Sequence, residues 1–264
     1  MFIKKMGIVL IVVMAMILTF TACSQENKGE DSLDRVIDSG KFTVVGSGGY
    51  RPFNFMQDGE VAGFDVDTGA AISERLGVDL NYVTSDWDGL IEGLRSKRYD
   101  GILGSMAITD DRKEQVNFTI PYYYSGAQLV VRKDSGITDP NDMEGKMIAV
   151  ATGTNFVGDV EALGAQASLY QDDNATIMEV IEGRVDGAIT DRLVAIEAMN
   201  KISGGDQLML CGQILRLEEM AIAVNKEDNE LLAELNYILL DLHKDGTLKK
   251  ISEEWLNGEN VTDK

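Results

Sequence analysis

From Lys41 onward, short runs rich in β-branched residues alternate with runs of helical period, and this alternation restricts the fold more than any other feature. The pattern predicts strands over residues 41–47, 79–84, 101–106, 127–133, 147–152, 187–190 and 220–226. Helices are predicted over 67–76, 87–96, 155–163, 175–182, 192–201 and 230–244. Strands that alternate with helices pair mostly in parallel, which makes the class α/β. A weak internal echo divides the chain further. Lys97, Arg98, Tyr99, Asp100 and Gly101 end a helix and open a strand, and Gly183, Arg184, Val185, Asp186 and Gly187 do the same later. Each copy is followed by a polar turn: Thr109, Asp110, Asp111 and Arg112 in the first, Thr190, Asp191 and Arg192 in the second. The 264 residues suit two domains at ~150 residues each. In open α/β sheets a ligand sits beyond the carboxyl ends of the strands, so two such ends facing each other predict a cleft between lobes.

Charge and composition remove several classes of function. Acidic residues outnumber Lys and Arg by 44 to 24, a net charge of -20 that repels phosphate backbones, so no nucleic acid is expected as a partner. One histidine, His243, and two cysteines, Cys23 and Cys211, are too few for an imidazole or thiolate metal site, and neither metal nor cofactor is expected. His243 falls in the terminal amphipathic helix, where a surface position is expected, and Cys211 reads as a buried apolar residue.

The first residues have the layout of a secretory signal: Lys4 and Lys5, an apolar run over 7–18, then Thr19, Phe20, Thr21, Ala22 and Cys23. The apolar run falls short of the ~20 residues that span a bilayer, although a retained signal anchor is the other reading. Thr21 and Ala22 before Cys23 resemble the bacterial lipoprotein box, with Phe20 departing from the usual Leu. That resemblance implies a signal peptide over 1–22, lipidation of Cys23, and a lipidated tether over 23–40 whose charged stretch 24–31 is flexible. The chain would then work on the extracytoplasmic face of the cell membrane, held by acyl chains at ~0.8 kcal/mol per buried methylene.

Two nucleotide motifs fail. Gly46, Ser47, Gly48 and Gly49 follow a strand, but the third glycine of a dinucleotide fingerprint falls on Arg51, and no P-loop is present. What remains suits a zwitterion. Arg112 offers a planar fork for a carboxylate, or is a solvated arginine at a helix start. Asp191 can take an ammonium, or cap a helix. Gly153, Thr154 and Asn155 lie between a strand and a helix, where free backbone N–H groups attract an anion. Tyr50 and Trp87 can sandwich a side chain, or pack in the core.

The order of these motifs along the chain carries a resemblance. Tyr50-Arg-Pro-Phe53-Asn-Phe55 is followed by Gly63-Phe-Asp-Val-Asp67, Asp86-Trp-Asp-Gly-Leu-Ile91, Ile108-Thr-Asp-Asp-Arg-Lys113 and Pro121-Tyr-Tyr-Tyr-Ser-Gly126. Then come Gly153-Thr154, Val185-Asp-Gly-Ala-Ile-Thr-Asp191 and a closing segment from Asp245 to Trp255. The succession, over residues 41–258, closely resembles the solute-binding proteins of polar amino-acid ABC transporters, bacterial extracellular solute-binding family 3.

The resemblance implies a two-lobed periplasmic-binding-protein fold of type II, joined by two hinge strands near 122–126 and 216–220. Residues 41–124 plus 220–264 would form the first lobe and 125–219 the second. It implies a monomer that binds a free amino acid and delivers it to ABC permease subunits. Arg112 matches the family's carboxylate-binding arginine and Asp191 its ammonium-binding aspartate. Tyr50 and Trp87 match its aromatic walls, Ser105 and Asn155 match positions that offer ligand hydrogen bonds, and Thr154 is expected to bind ligand beside them. Three positions depart: Ser47 stands where several members carry Asp, Ala107 replaces a common hydroxyl, and Ala151 is apolar. A neutral polar or sulfur-containing ligand is therefore expected. Two other readings of the same family are a cyclohexadienyl-dehydratase-like enzyme and a sensor subunit that presents ligand to a receptor.

Overall fold

The computed structural model describes residues 32–263. The signal segment 1–22, Cys23 and the stretch 24–31 lie outside the described residues. The tether expectation, drawn to residue 40, needs correction, because Ser32–Ser39 forms helix α1. Val36 is fully buried in the core, the Ser32 hydroxyl and N–H donate to Asp228, and Arg35 pairs with Asp100 at 2.8 Å. Eight residues with one apolar stripe, Leu33 and Val36, are too short to stand out as helical in sequence; packing supplies the stability that propensity cannot.

Strands β1 (Lys41–Gly46), β5 (Asp79–Thr84) and β6 (Gly101–Ala107) lie side by side in parallel, with β1 in the middle. Between β1 and β5 the chain forms a small antiparallel sheet of β2 (Gly49–Tyr50), β3 (Asn54–Gln57) and β4 (Glu60–Ala62), then helix α2 (Phe64–Leu76). Helix α3 (Leu90–Arg95) crosses from β5 to β6, preceded by a 3-10 turn over Trp87–Gly89. Helix α4 (Asp110–Gln115) and β7 (Asn117–Phe118) complete this part.

The second half repeats the plan. Strands β9 (Met147–Ala151), β10 (Gln166–Tyr170) and β11 (Gly187–Asp191) are parallel with β9 in the middle, and helices α5 (Phe156–Ala162) and α6 (Asp173–Ile181) link them. Both halves thus place their first strand between the second and the third. The strands that open at Gly101 and Gly187, the pair marked by the sequence echo, occupy the same place in each.

Two strands belong to both halves. β8 (Tyr123–Arg132) and β12 (Leu208–Val224) run antiparallel to each other, and the whole path reads β10-β9-β11-β8-β12-β6-β1-β5. The parallel expectation therefore holds within each half and fails at the junction. β12 has 17 residues where only 220–226 was expected, since Gly212 and Gln213 interrupt its apolar pattern. β10 was not expected at all; its burial is slight, so no apolar run marks it. Helix α7 (Arg192–Lys201) follows β11, and α8 (Asn229–Lys244) and α9 (Thr247–Trp255) close the chain.

Leu231, Leu235, Ile238, Leu239 and Leu242 of α8 pack with Phe42, Val44, Phe64 and Ile72 in the largest core. Leu129, Ile148, Val150 and Ile189 anchor a separate one, which takes in Cys211 as a buried, free thiol. His243 is half-buried rather than on the surface, and its Nε2 lies 3.0 Å from the Pro121 carbonyl. Gly104 lets β6 approach β1 closely: a Cβ there would stand 2.9 Å from the Gly46 Cα. Ser47, just past β1, and Ser105, in the C-terminal half of β6, both line the same cavity.

Candidate ligand-binding cleft

A cavity of about 140 Å³ opens where the carboxyl ends of β1, β6 and β9 face one another. Each end lies at the switch point of its own half, the place where an open α/β sheet leaves room for a ligand. Eight of the expected ligand-binding residues line it: Ser47, Tyr50, Trp87, Ser105, Ala107, Arg112, Thr154 and Asn155. Asp191 is not part of the wall.

Arg112 sits in α4, begun by Thr109, whose hydroxyl accepts the Arg112 N–H at 3.3 Å. The side chain is not solvated: the residue is 7% exposed, and Nη1 donates to the Ala107 carbonyl at 2.9 Å. Its guanidinium carbon lies 5.4 Å from the Trp87 ring centre. Burial pulls its pKa down, opposed chiefly by the charge of Glu218. No ion pair among the described residues uses Arg112, so a desolvated cation faces the cleft with donors to spare.

The plain structural role of Asp191 is realised, since its Oδ1 accepts the N–H groups of Leu193 at 2.7 Å and Val194 at 3.4 Å. Its Oδ2 is buried, and no hydrogen bond of ordinary geometry reaches it among the described residues. Burial pushes its carboxyl up to about 7; Glu218 adds to the rise, while Ser125 and the two backbone donors oppose it.

The 153–155 turn needs one correction. Thr154 does not offer a free N–H, because both its N–H and its hydroxyl return to the Ala151 carbonyl, at 3.3 and 2.7 Å. Asn155 instead donates its amide to Glu218 Oε1 at 2.5 Å.

Four acids on the wall, Asp86, Asp172, Asp173 and Glu218, were not among the expected site residues, and the last two are buried. Glu218 alternates with Glu219 on β12, so one of the pair must face the cleft. Glu218 does: it is 3% exposed, its Oε1 also accepts Arg216 Nη1 at 2.8 Å, and its Oε2 is buried without a partner. Asp173 opens α6 and accepts the Thr190 hydroxyl at 2.5 Å, with burial lifting its carboxyl to about 6. In sequence Asp173 reads only as a helix-start acid.

The two halves touch across the cleft. Trp87 bonds to Gly153, Arg51 stands 4.0 Å from Glu197, and Leu193 and Val194 of α7 join the core that holds Tyr123 and Phe53.

Two lobes on one sheet, with a buried unpaired cation and buried unpaired carboxylate oxygens at their junction, define a clamp for a small dipolar molecule. The chain belongs to the bacterial extracellular solute-binding proteins, family 3, whose model matches residues 42–258. The L-cystine-binding protein TcyJ of Escherichia coli K12 is 32% identical over 255 residues, covering 95% of each chain. A substrate-binding protein of an ABC uptake transporter from Streptococcus pneumoniae, solved with bound histidine, matches with a TM-score of 0.83 at 29% identity, over 89% of this chain and 99% of that one. The ancestral amino-acid-binding protein AncCDT-1, described as a precursor of cyclohexadienyl dehydratase, matches with a TM-score of 0.79 at 30% identity, over 85% and 99%. The two-lobed fold is that of this family, and membership places the chain outside the cytoplasm.

Proposed function

We propose that the chain captures a free α-amino acid in this cleft and delivers it to the permease of an ABC transporter. The observation that carries the reading is Arg112, buried and without an ion-pair partner among the described residues, on a wall where Glu218 Oε2 is also buried and unpaired, while Asp191, outside that wall, holds a second buried and unpaired oxygen. Buried charges are retained when a partner satisfies them, and a zwitterion supplies both partners at once. The α-carboxylate sits on the Arg112 fork and the ammonium meets Asp191. Tyr50 and Trp87 flank the ligand side chain, which is neutral polar or sulfur-containing. The charges nearest the clamp support that choice: Arg112 and Asp191 offset the zwitterion, Arg216 already pairs with Glu218, Ser47 is neutral, and Asp173, the other buried acid on the wall, is tied to the Thr190 hydroxyl.

The lobes divide at 41–124 plus 220–264 and 125–219, with the paired stretches of β8 and β12 as hinges, an assignment supported by the sheet order and the separate cores. Cys23 carries the lipid that keeps this monomer at the membrane. We read the chain as a binding protein and not a dehydratase, because the buried Arg112 and the buried Asp191 Oδ2 are the two partners that a held zwitterion needs.

A thermal-shift screen against the proteinogenic amino acids, cystine and ornithine tests the reading. A ligand that binds only the folded chain stabilises it by about 2.7 kcal/mol at a hundredfold excess over Kd, so one or a few ligands should raise the melting temperature clearly. No rise with any of them would remove the proposal.

A further inference from the structure

Beneath the cleft, and not part of its wall, Asp65 near the start of α2 is fully buried. Its Oδ1 accepts the Tyr122 hydroxyl at 2.5 Å, and its Oδ2 accepts the Asn54 amide at 2.7 Å and the Ser105 hydroxyl at 2.9 Å. Asn54 is pinned from both sides. Its N–H faces a carboxylate, which only accepts, and its Oδ1 faces the Gly48 N–H at 2.9 Å, which only donates. The Ser47 hydroxyl, 3.2 Å from that same Oδ1, must therefore donate to it. The Gly49 N–H approaches Ser47 Oγ at 3.4 Å, one more donor directed onto this oxygen.

We propose that Asp65 is a positioning residue that fixes the hydrogen-bonding polarity of the cleft wall formed by Ser47 and Ser105, so that this wall only accepts and selects a ligand side chain carrying N–H donors. Both hydroxyl protons are committed inward, and lone pairs are all that the two serines can offer a ligand. Ser105 adopts a φ of 58°, a conformation that costs a non-glycine residue energy, and its N–H donates to the Tyr122 hydroxyl at 3.0 Å. Burial raises the Asp65 carboxyl to about 6 against the pull of its three donors, so at pH 7 it remains an acceptor. A carboxamide, or the distal ammonium of a double-headed amino acid, fits such a wall. A sulfoxide or an ether does not.

The inference rests on the amino-acid reading above, and the test separates the two. Glutamine and methionine sulfoxide are both neutral and alike in length, but only glutamine brings side-chain N–H groups. Their affinities for the full chain are measured by displacement of the tightest ligand from the thermal screen. Glutamine should bind at least tenfold more tightly. Asp65→Asn, whose amide can turn an N–H towards Ser105 and release the serine proton into the cleft, should narrow that ratio at least fivefold. Ser47→Ala, at a half-buried position, should narrow it as well and decides the matter if Asp65→Asn does not fold. The proposal is overturned if methionine sulfoxide binds as well as glutamine, if the tightest ligand has no side-chain N–H, or if the ratio stays fixed while both affinities fall together. Failure of every amino acid to bind would instead remove the functional reading and this inference with it.

Discussion

Trp87 donates its indole N–H to the main-chain carbonyl of Gly153 at 3.1 Å, so a residue just past β5 is bonded to the loop after β9 in the other half of the sheet. Gly153 has a φ of 77°, and a Cβ on it would stand 3.2 Å from the Asp88 Cβ and 3.4 Å from the Trp87 ring. In the proposed hinge motion this contact would break as the lobes part, and a bound ligand that touches both lobes would favour the arrangement that keeps it. Trp87→Phe and Gly153→Ala should each weaken ligand binding and reduce the compaction that ligand causes. Small-angle scattering reads this as a smaller fall in radius of gyration than in the parent; identical falls would dismiss the contact as incidental.

Arg112→Ala should lose about 2 to 5 kcal/mol of binding, the range for truncating one member of a desolvated charge pair. Arg112→Lys should not restore it, because an ammonium lacks the fork that meets two carboxylate oxygens. Isothermal titration with the ligand from the screen measures both. A mutant within twofold of the parent would move the carboxylate site elsewhere.

The Asp191 carboxyl, pushed up to about 7, makes a signed prediction for pH. Between its ordinary value near 4 and about 7, the folded chain without ligand holds more protons than the unfolded chain, so its stability falls as pH rises through that window. Asp65 and Asp173, both lifted to about 6, add in the same direction. A ligand ammonium favours the ionised form of Asp191, so affinity should climb from pH 5 and level off above 7, with protons released on binding at pH 6. Titrations in two buffers of different ionisation enthalpy count those protons. Affinity that is flat across pH 5 to 8 is the contrary result.

Ser47→Asp should shift preference towards arginine, lysine or ornithine by about 1 to 3 kcal/mol, the span of a charge-assisted hydrogen bond. Competition binding between ornithine and a neutral ligand measures the shift. If the parent already prefers a basic amino acid, Glu218 and Asp173 on the wall outweigh the neutral Ser47, and the charge balance drawn above is wrong.

Period and turn chemistry made the two parallel units legible, because β6 and β11 are fully buried and each must read as an apolar run. The same rule hid β10, whose exposed edge carries no such run, and the full length of β12, where Gly212 and Gln213 break the pattern but backbone pairing continues on either side. In the cleft, residues that touch space at strand ends were legible from motif order. Glu218 was ambiguous with its neighbour until the face of β12 was known. Asp65 could be read only as part of a Gly-Phe-Asp motif, since its partners Asn54, Ser105 and Tyr122 are brought to it by three different elements. A hydrogen-bond network closed through tertiary contacts leaves no period in the sequence.

The antiparallel pairing of β8 with β12, from Tyr123 opposite Met220 to Ala127 opposite Arg216, has a mechanical consequence. A two-stranded ribbon bends and twists readily but resists sliding, because sliding would break its ladder of bonds all at once. If this ribbon is the hinge, as proposed above, it would confine the motion of the lobes to little more than one angle. A permease that received the proposed binding protein would then need only that angle to distinguish its filled form from its unfilled one, whichever side chain the captured molecule carries. Recognition by the cleft and recognition of the cleft's state would thus be separate, and mutations that change what is bound would leave intact the signal that something is bound.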